Sequence, residues 1–296
     1  MRPSPDPWFD PPFTVERPGR QSVPWVFNVP HAGLIYPDAF VAASRLDRLT
    51  LRRSEDAFVD RLFAGVVAFG APLMAARFPR AYLDVNREPY ELDPRMFDGR
   101  LPPYANTRSM RVAGGLGTIP RIVADGQEIY RTRLPVAEAL GRVERLYRPY
   151  HRALHDLVQA TLRAFGHAIL VDCHSMPSPA GAREGAAGAD IVLGDRYGTS
   201  CNGALTDLVE ARLRARGYTV ARNKPYAGGF ITEHHGEPAL GRHALQVEIN
   251  RGLYMDERTM TRRPGFDRLA GDLTAVFEEV TAEIGGDLGP QRIAAE

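Results

Sequence analysis

The 296-residue chain carries 37 lysines and arginines against 36 acids, a formal net charge of +1. So even a balance gives no electrostatic basis for binding nucleic acid or an anionic membrane, and the length suits one large α/β enzyme domain. No apolar run approaches the roughly 20 residues of a membrane helix, and the two cysteines, Cys173 and Cys201, fit neither a disulfide framework nor a thiolate zinc site.

Those exclusions lead us to expect a soluble, cytoplasmic protein; they leave the oligomeric state open. Residues 1–20, with proline at 3, 5, 7, 11 and 12, read as an extended arm rather than a signal peptide. A single domain is expected over 21–296. Residues 23–29 form a first buried strand, closed by Pro30, His31, Ala32 and Gly33. Helical spacing runs from about 46 to 69, with Ser54 as N-cap and Glu55 and Asp56 in a first turn. Two short strands follow at 72–76 and 81–85. The stretch 88–132 shows no sustained period, as a lid or binding loop would. A long helical pattern over 133–165 breaks near Pro149. Strands are expected at 167–171, at "ADIVLGD", at 218–222 and at 243–250, with helices at 199–216 and 265–284. Strands alternating with helices predict an α/β fold whose sheet is mostly parallel.

His31 and His174 each follow an apolar strand, so both can face a crevice at the carboxyl edge of such a sheet, where ligands bind. Two histidines and one carboxylate form the ligand set of catalytic zinc sites and leave a position for water. Glu55 and Asp56 are the nearest carboxylates to His31, although the helix dipole alone could explain acids there; Asp60 lies one turn later. In "LQVEIN" Gln246, Glu248 and Asn250 share a strand face, and a carboxylate in an apolar strand needs a partner or a task. Glu248 is either half of a buried ion pair or a general base. Arg80 and Arg87 bracket "AYLDVNRE", where a guanidinium could clamp a carboxylate or polarise a carbonyl.

Together "FNVPHAG", "EDAFVDRLF", "RAYLDVNRE", "VDCHSMPS" and "AGGFITEHHGEPALGRHALQVEINRGLYMDE" resemble the N-formylglutamate amidohydrolase family, in order over about residues 23–260. That family is similar to zinc carboxypeptidases and aspartoacylase-type deacylases. The resemblance implies a three-layer α/β/α fold with a mixed, mostly parallel central sheet. It also implies a strand ending on Asp84-Val85-Asn86-Arg87. His31 and His174 are assigned to one Zn2+ per chain, or another divalent transition metal. The carboxypeptidase pattern has Glu three residues after the first histidine, where this chain has Leu34. Asp56, ahead of Glu55, takes the third place. Glu248 matches the general base, Arg80 the carbonyl-polarising arginine, and Asn86 with Arg87 the pair holding a substrate carboxylate. His234-His235-Gly236 departs from the family pattern.

The implied reaction is hydrolysis of a small N-acyl amino acid carrying a carboxylate, N-formyl-L-glutamate giving formate and L-glutamate, in histidine breakdown. Three other readings compete. A metallopeptidase or a deacylase of another substrate keeps the metal, and a non-catalytic carboxylate binder keeps only the pocket. A Cys173 thiol nucleophile is disfavoured, because neighbours on a strand point to opposite faces.

Overall fold

The apolar runs become strands in a computed structural model that describes residues 9–123, 126–178, 188–284 and 288. In chain order the strands are β1 (Phe13–Glu16), β2 (Trp25–Val29), β3 (Leu73–Ala76), β4 (Phe97–Asp98), β5 (Leu134–Pro135), β6 (Ala168–Met176), β7 (Ile191–Gly194), β8 (Val220–Arg222), β9 (Arg242–Asn250), β10 (Met255–Asp256) and β11 (Thr261–Arg262). The helices are α1 (Asp38–Ala43), α2 (Arg48–Arg52), α3 (Val59–Leu62), α4 (Met110–Ala113), α5 (Val136–Arg142), α6 (Arg148–Phe165), α7 (Gly203–Ala215), α8 (Phe230–His235) and α9 (Phe266–Glu283).

Seven strands form one sheet in the order β1-β3-β2-β6-β9-β7-β8. β6 runs parallel to β2 and β9, β8 parallel to β7, and β7 antiparallel to β9. The expected α/β fold with a mixed, mostly parallel sheet is therefore what the chain forms. The described residues divide into two compact units: one is drawn from the ranges 1–14, 30–57 and 75–154, the other from 15–29, 58–74 and 155–296.

β2, β6, β7, β8 and β9 lie wholly in the second unit, and every residue of β6 is buried. Burial on both faces is the mark of a central parallel strand, which explains the near-continuous apolar run before Asp172. α9 presents Phe266, Leu269, Leu273, Val276, Phe277 and Val280 as one buried stripe. It packs on α3, on the 3₁₀ turn Ala64–Val67 and on α7. Trp25 and Phe27 meet Phe277 edge-on, at ring-centroid distances of 5.3 and 5.0 Å. Such pairs each add about 0.5–1.5 kcal/mol beyond area burial.

Four local expectations need correction. The helix over 46–69 is broken into α2, α3 and the 3₁₀ turn. Phe58 stands in the left-handed region at φ 66°, Ser54 Oγ donates back to the Leu51 carbonyl and caps nothing, and the Asp56 N–H donates to His31. Glu55 and Asp56 thus sit in a buried turn, where a helix dipole has no part. The strand over 81–85 is a turn, because Tyr82 and Leu83 donate to the Pro79 carbonyl and Asp84 N–H to Thr118. β6 does not stop at 171 but carries Asp172 through Met176 inside the sheet, paired with β9 along all nine residues. α8 carried no helical signal that we read.

Elsewhere the expected break near Pro149 takes the form of a π turn over Val143–Tyr147, joining α5 to α6. The first eight residues of the arm lie outside the described residues, and Phe13–Glu16 is an edge strand. No helix of the described residues is long and apolar enough to cross a membrane.

Candidate active site

In the first unit the chemistry gathers around His31. The chain over 31–35 lies directly on the backbone of Arg77 and Phe78. Ile35 N–H donates to the Arg77 carbonyl at 3.1 Å, and a Cβ at Gly33 would stand 2.1 Å from the Phe78 oxygen. Only glycine tolerates that approach. The Asp56 N–H donates to the His31 carbonyl at 3.0 Å, and its carboxylate Oδ2 lies 3.2 Å from His31 Nδ1. On the other side of the ring, Nε2 is 2.8 Å from Asp84 Oδ1. All three residues are at most 2% exposed.

Asp84 is the hub of this cluster. Its Oδ1 also accepts from the Asn86 N–H at 2.8 Å, and its Oδ2 accepts from Arg80 Nε at 3.0 Å, with Arg87 Nη2 at 3.6 Å. Burial by itself would push the Asp84 carboxyl up. The charges of Arg87, His31 and Arg80 outweigh it and hold the group well below the usual carboxylate range. Arg87 donates Nε to the Leu116 carbonyl and Nη1 to the Asn86 carbonyl, which fixes its fork in place. Burial lowers the Arg87 pKa, opposed by Asp84.

Glu55 and Asp56, adjacent in sequence, separate cleanly. Glu55 accepts from the Tyr36 hydroxyl at 2.6 Å and from Arg52 at 3.1 Å, while Asp56 faces His31. Leu34 is 52% exposed.

The second unit holds the other half of the predicted residues. His174 and Glu248 stand directly opposite each other in the parallel register of β6 and β9. His174 Nε2 is 2.8 Å from Asp172 Oδ2, and Asn28 Nδ2 on β2 donates to Asp172 Oδ1 at 2.7 Å. Asp172 is fully buried and joins two neighbouring strands through its side chain. Glu248 Oε1 accepts from Gln246 Nε2 at 2.9 Å, and Gln246 Oε1 accepts from the Gly229 N–H at 2.8 Å, which ties the start of α8 to β9. His235 is buried on α8, and burial, then His155, lowers the pKa of His234. Cys173 is fully buried; burial and then Asp172 push its thiol well above the ordinary cysteine range. A thiolate nucleophile there would need the opposite shift.

The sequence reading expected His31, Asp56 and His174 at one site; His31, Asp56, Arg80, Asn86 and Arg87 lie in the first unit, and His174 and Glu248 in the second. It gave no role to Asp84 or Asp172. A readable signal existed for the second: Asp172 is an acid inside an apolar strand, the same signal that singled out Glu248.

Histidines held by buried carboxylates on an α/β scaffold do not by themselves name a reaction, and it is the chain's likenesses that make it an amidohydrolase. Its structure is similar to the crystal structure of N-formylglutamate amidohydrolase from Ralstonia eutropha JMP134, with a TM-score of 0.85 and 40% identity over 92% of this chain and 97% of that one. A gene product of Agrobacterium tumefaciens shares the fold at a TM-score of 0.66 and 20% identity, over 92% and 94% of the two chains. The N-formylglutamate amidohydrolase family model matches residues 23–255, and the chain belongs to that family. Among curated proteins it is 30% identical over 242 residues to the N-formylglutamate deformylase of Pseudomonas aeruginosa, covering 81% of this chain and 85% of that protein. It is 29% identical over 238 residues to the N-formylglutamate deformylase of Pseudomonas putida, covering 79% and 83%.

Proposed function

We propose that the protein hydrolyses the amide bond of N-formyl-L-glutamate to formate and L-glutamate, using one divalent cation, Zn2+ by preference, held by His31, Asp56 and His174. Family membership across residues 23–255 carries the substrate, since the relatives are named as deformylases of this compound. The donor set carries the cation. Among the described residues these three buried side chains offer two imidazoles and a carboxylate, which suits zinc. Both histidines present Nε2 to an aspartate, Asp84 for His31 and Asp172 for His174. A carboxylate on one ring nitrogen is how metal-ligating histidines are held and oriented. The covalent path supports the pairing: Asn28 lies opposite Asp172 on adjacent parallel strands, His31 follows three residues after Asn28, and His174 two after Asp172.

A cation held by His31, Asp56 and His174 would supply Lewis-acid charge for acidifying a water and for the oxygen of the scissile carbonyl. Glu248 then acts as the base. It takes a proton from the attacking water and returns one to the departing amine. Gln246 orients its carboxylate from one side. Arg80, whose Nε donates to Asp84, is the charge that polarises the scissile carbonyl. Arg87 and Asn86 hold a substrate carboxylate, and the fixed Arg87 fork reduces the ordering cost of binding. Two inert cysteines and the absence of a long apolar helix among the described residues support a cytoplasmic setting.

The test is formate release from N-formyl-L-glutamate by purified protein, before and after chelation and zinc return, alongside metal content. Release that follows about one zinc per chain is expected. Release that persists in metal-free protein would overturn the cation, and zinc-loaded protein that leaves this substrate intact would overturn the substrate.

A further inference from the structure

We infer that the first unit carries a binding site for a small multivalent oxyanion, a di- or tricarboxylate or a phosphate ester, in an arginine-lined cavity formed by Arg45, Arg95, Arg121, Arg131 and Arg133. The cavity measures 180 Å3, and Met96, Glu128, Tyr130 and Thr132 complete its wall. None of these residues belongs to the proposed catalytic set, so the inference stands whether or not the deformylase reading does.

Charge is the first argument. Five arginines line the space, and the described carboxylates in contact with them are Glu128 and Asp93. Asp93 is taken up by Arg95 at 2.8 Å and Arg121 at 3.0 Å, and Glu128 by Arg121 at 3.1 Å. Arg45 reaches Glu128 only at 4.0 Å. Arg131 and Arg133 are exposed and pair with no carboxylate among the described residues. A surplus of three positive charges is thus concentrated around one small concavity, an arrangement that repels itself unless an anion joins it.

Construction is the second argument. The arginines come from four separate stretches of chain, and backbone pairing fixes the walls that carry them. Ser44 bridges Tyr130, Ile122 bridges Glu128, and β4 pairs with β5 just beyond Arg133. Arg45 Nε donates to the Tyr130 carbonyl at 2.8 Å, and the Arg45 N–H donates to Ile129 at 2.7 Å. A guanidinium fork matches the paired oxygens of a carboxylate or phosphate, and that of Arg45 is anchored at Nε. The volume falls below the roughly 300–1,000 Å3 of pockets for drug-sized ligands, so the occupant is small.

The experiment titrates the full chain calorimetrically with citrate and with inorganic phosphate, each at constant ionic strength set with sodium chloride. We expect saturable binding of at least one anion at one site per chain, weakened at least tenfold in the double variant Arg131→Ser/Arg133→Ser. Both substitutions are at exposed positions, and the circular dichroism spectrum should be unchanged. Tighter citrate binding would assign a polycarboxylate, and tighter phosphate binding a phosphate ester. Heats no larger than those of the matched chloride control, or binding of equal strength in the double variant, would overturn the site.

Discussion

Single carboxylates decide most of the chemistry proposed for this protein. Glu248→Gln keeps an acceptor oxygen for Gln246 Nε2 and removes the base, so turnover should fall about 10²- to 10⁴-fold while the melting temperature stays the same. Steady-state formate release and a thermal scan read both quantities, and an unchanged turnover would remove Glu248 from the mechanism. Asp172→Asn tests a different role. Asp172 receives Asn28 and His174 at once, and an asparagine can satisfy both only by turning a donor toward one of them. Zinc affinity should drop about 10- to 100-fold, measured by competition with a chromogenic chelator, with turnover recovering as zinc is raised. Equal affinity would mean that Asp172 does not hold His174 in place. The segments that carry the proposed ligands were legible in the sequence because His31 and His174 adjoin apolar runs. Asp84 was harder to see. Its role comes from a turn that brings Arg80, Asn86 and Arg87 onto one carboxylate, and no periodicity encodes a turn built around a side chain.

Elements with strong local patterns were the ones that sequence placed well. α9 and β9 each show one apolar face, and the structure returned them within a few residues of expectation. The segment 46–69 shows apolar spacing just as regular yet breaks, because the Asp56 N–H is claimed by a carbonyl 25 residues away and Phe58 turns left-handed. Helical spacing records which residues are buried and not where the backbone bonds go. The loop bearing His31 is set by an equally non-local contact. Gly33→Ala would drive a methyl group into the Phe78 carbonyl, and repositioning should cost roughly 1–3 kcal/mol. Urea unfolding of the variant checks this, and an unshifted midpoint would show that the 31–35 segment moves away from Phe78 at little cost.

At the scale of the whole molecule, stability should depend on acidity through His243. This ring is buried on β9, where Nδ1 accepts from the Asn202 N–H at 3.3 Å and Nε2–H donates to the Leu288 carbonyl at 3.1 Å. Burial lowers its pKa below the ordinary 6.5. The unfolded chain therefore binds this proton more readily. The stabilisation is complete above about pH 6.5 and declines as pH falls below it. Denaturant midpoints at pH 7.5 and 5.5 should differ more in the wild type than in His243→Gln, whose amide can serve the same two partners and which leaves the other histidines of lowered pKa to titrate; an equal difference in the two proteins would exclude His243 as a source. The two cysteines behave in the opposite sense, since burial pushes the Cys201 thiol up to about 12 and Cys173 higher than its usual range. A chain whose native thiols are both inert is a blank background for covalent labelling. A maleimide dye should leave the wild type unmodified and attach once, at the exposed position, to Arg131→Cys, placing a fluorescent reporter on the rim of the arginine cavity.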